Sequence, residues 1–142
     1  MFIHGLVIGA CLIGTLIASY FTLVYYRLLK PDARFVPRFC RMDGNTCFSI
    51  LSTREARIFG APNSLYGVSY YVGILVCSFL PYEQHIFLWQ LAGALSVGTV
   101  VISGYLLFAL LVKLKIKCVL CITGHAVNVM LMMLLLIQLS SK

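Results

Sequence analysis

Charge is what this sequence has least of. Asp, Glu, Lys and Arg make up 11% of its 142 residues, against about 25% in ordinary soluble domains, and that excludes a water-soluble globule. Glycine-rich phosphate loops are absent, as are internal repeats and low-complexity tracts, so nothing in the chain asks for a nucleotide. No cleavable leader is expected either. The first apolar run has no basic segment before it, continues too long, and offers no small-residue cleavage site near its end. The N-terminus is therefore expected to stay on as a membrane anchor. A formal charge of +7 raises the question of nucleic acid, but the basic residues flank apolar spans and belong to no soluble basic domain. Water and lipid phosphates account for them, and no nucleic-acid partner is expected.

Apolar length is what the sequence has in excess, with 61% hydrophobic residues. The run from Phe2 to Tyr26 is long enough to cross a hydrocarbon core of about 30 Å. It carries Gly5, Gly9, Ala10, Gly14 and Ala18 at spacings that let helices approach closely, with Tyr20, Tyr25 and Tyr26 at its far interface. A second helix starts at Pro62-Asn63-Ser64, with Asn63 or Ser64 as N-cap, and ends near Leu80-Pro81. A third covers His85 to Val112, with Trp89 near an interface and Ala94, Gly98, Thr99 and Ser103 for packing; a fourth covers Cys118 to Leu139. The expected fold is an all-α, four-transmembrane-helix bundle in a single domain, 1–142, embedded in membrane lipid with both termini on one side.

The one long polar segment runs from Arg27 to Pro62, and Pro31, Pro37 and Asp43-Gly44 mark it as turns. Within it, Ser52-Thr53-Arg54-Glu55 fits a capping box, predicting a short helix to about Phe59 that lies on the bilayer as a lid.

Reactive chemistry concentrates at Cys118-Val119-Leu120-Cys121, preceded at once by Lys113, Lys115 and Lys117. The thiolate is the reactive form of cysteine, and a helix N-terminus beside ammonium groups favours its negative charge. On one helix, Cys118, Cys121, His125 and Asn128 follow a 3-4-3 spacing and share a face. A dithiol, an imidazole and a carboxamide turned into a membrane interior suggest redox chemistry on something that dissolves there. Cys40 and Cys47 sit in the polar loop on the same side, whereas Cys11 and Cys77 are isolated in apolar spans and read as small apolar residues.

Blander readings remain open at this point. Four cysteines suffice for structural zinc, although the spacing of Cys40 and Cys47 exceeds the usual two to four residues. A static loop disulfide would stabilise by about 2–3 kcal/mol. His125 and Asn63 are readable as a helix-bridging and a capping residue, and Asn128 as interhelical glue.

In combination, Cys40-x6-Cys47, Ser52, Phe59-Gly60-x-Pro62-Asn63-Ser64 and Cys118-Val119-Leu120-Cys121-Ile122-Thr123 resemble the vitamin K epoxide reductase family over about residues 5–139. The resemblance implies a four-helix membrane bundle around a quinone (ubiquinone, menaquinone or vitamin K-like) that exchanges electrons with cysteines in disulfide formation or quinone recycling. By position, Cys121 resembles the cysteine beside the quinone and Cys118 its partner. Cys47 resembles the loop cysteine that exchanges with Cys118, and Cys40 the one that meets an external thiol. Asn63 matches the asparagine that hydrogen-bonds a quinone carbonyl, and Ser52 a serine near the lid. His125 stands where the animal enzymes carry tyrosine, a departure that bears on epoxide reduction. Many bacterial relatives carry a fused thioredoxin-like domain; with the chain ending at Lys142, a separate thioredoxin-like protein is the expected partner. The expectation is a membrane thiol:quinone oxidoreductase, with vitamin K quinone or epoxide reduction, or a non-enzymatic four-cysteine metal protein, as the alternatives.

Sidedness is contested by two rules. Ten of the eleven Lys and Arg residues fall on the cysteine side: Arg27, Lys30, Arg34, Arg38, Arg41, Arg54, Arg57, Lys113, Lys115 and Lys117. The positive-inside rule turns that side to the cytoplasm, while stable disulfides belong outside it. The resemblance tips the reading to the non-cytoplasmic face of a multi-pass protein, in the cell membrane in preference to the endoplasmic reticulum.

Overall fold

A computed structural model of the chain describes residues 2–30, 51, 53–115 and 118–141. Among them are four α-helices: α1 (Phe2–Tyr25), α2 (Asn63–Ser78), α3 (Ile86–Phe108) and α4 (Val119–Ser140). Three segments are long and apolar enough to cross a membrane: Phe2–Tyr25, Ile86–Lys113 and Val119–Ser140. Helix α2 has 16 residues, about 24 Å at 1.5 Å per residue, and is the short member.

Helix α1 packs on α2 and α4, and α4 packs on α3, whereas α2 and α3 touch sparingly. The face α1 turns inward is Val7, Cys11, Gly14, Ala18 and Phe21, at the alternating spacing of a helix seam. Small residues there bring α2 close: a Cβ on Gly14 would sit 2.4 Å from the Tyr71 ring, and one on Gly67 3.4 Å from Ala18 Cβ. Gly5 and Gly9, expected to share this role, face open space, since a Cβ on either meets nothing within 4 Å. Helix α1 stops because Arg27 turns left-handed (φ 58), letting the Leu28 N–H donate to the Leu23 carbonyl at 2.9 Å in a Schellman closure.

One expectation for α3 shifts. Its inward residues are Trp89, Ala92, Gly93, Ser96 and Ser103, so Ala94 and Gly98 point outward. Trp89, in the first turn of the helix, is 1% exposed, against Tyr82 at 5.8 Å between ring centroids. The helix ends in a π turn, Ala109–Lys113, whose last amide bond runs from Leu114 N to the Ala109 carbonyl at 2.9 Å.

The lid differs most. Residues 53–56 bend and turn, and Arg57–Ile58 pairs antiparallel with Ala61–Pro62 across a tight hairpin. Phe59 (φ 50) and Gly60 (φ 85) form its tip, a left-handed pair that suits a two-residue hairpin and cannot continue a helix. The expected capping carboxylate is engaged elsewhere, because Glu55 accepts a hydrogen bond from Lys113. A single turn of helix has little to offset its nucleation cost.

Candidate functional site

A cavity of about 160 Å³ opens among all four helices beneath the segment before α2. Its walls hold four of the residues singled out by sequence: Cys121, His125 and Asn128 from α4, and Asn63 from α2. Asn63 was expected as a cap, but Pro62 occupies the N-cap position and Asn63 is the first helical residue. The Asn63 backbone N–H donates to the Ala56 carbonyl at 2.8 Å, which joins the hairpin to the helix start. Beside it, Ser64 Oγ accepts from Thr22 Oγ1 at 3.0 Å, pinning the first turn of α2 to α1.

Helix α4 presents Cys121, His125 and Asn128 to the cavity at i, i+4 and i+7, the shared face expected from their spacing. Cys118 is its N-cap residue, in extended conformation. It does not line the cavity but lies 1% exposed beside Phe21, Val24 and Leu51. The two thiols therefore flank the first turn of α4, one toward the cavity and one packed behind it. His125 Nδ1 is buried with no hydrogen-bond partner among the described residues. A buried imidazole nitrogen without a partner costs free energy, and a group able to hydrogen-bond it from the cavity would remove that cost.

At its inner end the cavity is closed by a polar bridge. Tyr71 Oη donates to Asn128 Oδ1, and Asn128 Nδ2 donates to Ser103 Oγ at 2.7 Å, so one carboxamide ties α2, α4 and α3 together. This is the interhelical role expected of Asn128. Tyr71 escaped the sequence reading, although Asn63, Gly67 and Tyr71 at i, i+4 and i+8 were a legible signal for one face of α2.

At the outer end, Leu51, Thr53, Glu55 and Ala56 form the roof. Lys113 donates to Glu55 across the mouth. That hydrogen bond, helped by the Glu55 backbone amide, holds the carboxyl below its usual range. Cys40, Cys47 and Ser52 lie outside the described residues.

The arrangement suits a flat, lipid-soluble ring. Cavities of about 150 Å³ in protein cores accept benzene, and the lining offers a thiol, an amide and an imidazole in otherwise apolar walls. The family model described as "Vitamin K epoxide reductase family" matches residues 6–136. No curated protein matches the chain.

Proposed function

The chain belongs to the vitamin K epoxide reductase family, and from that premise we propose that it is a membrane thiol:quinone oxidoreductase that makes disulfides in a separate thioredoxin-like protein. Membership makes it an oxidoreductase of the membrane. The observation that carries the finer reading is that Cys121, His125 and Asn63 line one cavity, with Cys118 at the N-cap of the helix that bears Cys121.

A quinone bound there supplies a two-electron, two-proton acceptor. Cys121 faces it as thiolate, and Cys118, one helical turn away, closes the disulfide. Two thiols become one disulfide, and two electrons and two protons leave them to give quinol. Asn63 Nδ2–H and the imidazole N–H of His125 are the donors for charge developing on the carbonyl oxygens, in a site whose apolar walls exclude water. Cys47 then exchanges with Cys118, and Cys40 with the external thiol, each step favouring a thiolate attacker and a good leaving thiolate. We also read α2 as a fourth span, completed at its ends by the hairpin and by residues 79–84, which sets the cysteine loop and the start of α4 on one side, the non-cytoplasmic one.

The test is quinone absorbance in detergent with a small dithiol. The native chain should reduce quinone and Cys121→Ser should not. Cys47→Ser should keep activity with small dithiols while losing transfer from a thioredoxin-like donor. Quinone reduction undiminished in Cys121→Ser would refute the assignment.

A further inference from the structure

The inner end of the cavity carries more than packing. A second cavity, of about 280 Å³, lies on the far side of the same wall, and Asn63, Gly67, Tyr71 and Asn128 line both. The Tyr71–Asn128 bond is thus a rung across a partition, with α2 on one side and α4 on the other. Tyr71 has no slack on its third side, since its ring lies flush on Gly14, where even a methyl group would sit 2.4 Å away. Its single O–H proton is committed to Asn128, and Asn128 is oriented in turn by Ser103. A phenol left without that acceptor would turn its O–H into the cavity, adding a donor that competes with Asn63 and His125 for a carbonyl oxygen, and would open the partition.

Resting on the proposed reaction, we propose that Asn128 is a positioning residue: through Tyr71 it fixes the floor of the cavity and so sets how deep a quinone ring seats beneath Cys121. Ring size is then selected by the floor. A one-ring benzoquinone seats above it, and a two-ring naphthoquinone presses on it.

Steady-state kinetics with soluble benzoquinone and naphthoquinone heads test this. Asn128→Ala should raise KM for the preferred quinone about tenfold with kcat lowered less than threefold, and should shift the ratio of kcat/KM between the two ring sizes by about tenfold. Tyr71→Phe keeps the ring and removes the hydroxyl, so it should shift the ratio the same way, and the double variant should go no further than the larger single effect. Ser103→Ala leaves the rung but frees the amide, and should give a smaller shift. KM for the dithiol should not move in any of them. A structural role alone would lower both quinones equally. Thermal unfolding identifies a variant that has failed to fold, and the milder Ser103→Ala and Tyr71→Phe then carry the comparison. Variants that reduce both quinones at the wild-type ratio overturn the role of Asn128 while the reaction stands; a wild type that reduces neither quinone overturns the reaction and this role with it.

Discussion

Lys113, at the end of the π turn after α3, donates to Glu55 in the segment over the cavity, so the roof is joined by an ion pair to the helix beyond the mouth. Glu55 is 18% exposed at its side chain and Lys113 62%. The pair is exposed enough that little global stability is expected of it, and ligand exchange is where its effect is to be sought.

A carboxyl with a depressed folded-state pKa stabilises the fold above its unfolded value and loses that contribution as pH falls through the depressed value. The Lys113 hydrogen bond depresses Glu55 from 4.5. The pair is therefore expected to hold throughout the neutral range and to release only in acid below the ordinary carboxylate range. Dissociation of an unreactive quinone analogue, followed by rapid dilution, should be about two- to fivefold faster in Glu55→Gln at neutral pH, and the acid step should vanish in that variant. Equal rates in both proteins at every pH would show that the pair does not gate the mouth.

The two thiols of α4 differ in access, because Cys121 lines the cavity while Cys118 is 1% exposed. In fully reduced protein an uncharged alkylating reagent should modify Cys121 at least about tenfold faster than Cys118, thiolate chemistry being limited by access as well as by charge. A quinone analogue should protect Cys121. Mass spectrometry of the peptide carrying both residues reads the order, and faster labelling of Cys118 would reverse the assigned roles.

Helix α1 supplies a contrast among glycines. A Cβ on Gly14 lands 2.4 Å from the Tyr71 ring, whereas Gly5 and Gly9 have open space. Gly14→Ala should cost about 1–3 kcal/mol as overpacking and weaken quinone binding, because Tyr71 is held by Asn128 and can retreat only by breaking that bond. Gly5→Ala and Gly9→Ala should be close to neutral. Thermal unfolding in detergent separates them, and equal midpoints for all three would show that Tyr71 is free to move.

Those glycines also mark how far the sequence could be read. Apolar length and the C-x-x-C with its 3-4-3 face were local signals, so the helices and the alignment of Cys121, His125 and Asn128 were legible without a structure. The inward face of α1 was not: Gly5, Gly9 and Gly14 are alike in sequence, and only the position of Tyr71, far along the chain, tells which one is approached. The same holds for the lid. Ser52-Thr53-Arg54-Glu55 satisfies a capping pattern locally, but Glu55 is drawn to Lys113 and the Phe59-Gly60 pair turns left-handed. In a segment this short, tertiary partners outweigh propensity. The burial of Trp89 was not legible either, because it rests on a core cluster shared with Leu131 and Leu135 of α4 and on Tyr82 packed against it.

His125 offers the sharpest test of the site. Its Nδ1 is buried without a partner among the described residues, and the side chain lines the cavity one helical turn beyond Cys121. If it donates to a carbonyl oxygen, His125→Phe should lower kcat for quinone reduction about 100-fold, the usual loss when one preorganised donor is removed, with KM for the dithiol unchanged. His125→Tyr restores an O–H donor and should recover most of that rate. Its turnover of a vitamin K-type epoxide, compared with the native chain, then measures whether the histidine is what separates quinone reduction from epoxide reduction. Native kcat in His125→Phe would remove the imidazole from the mechanism and leave Asn63 as the donor.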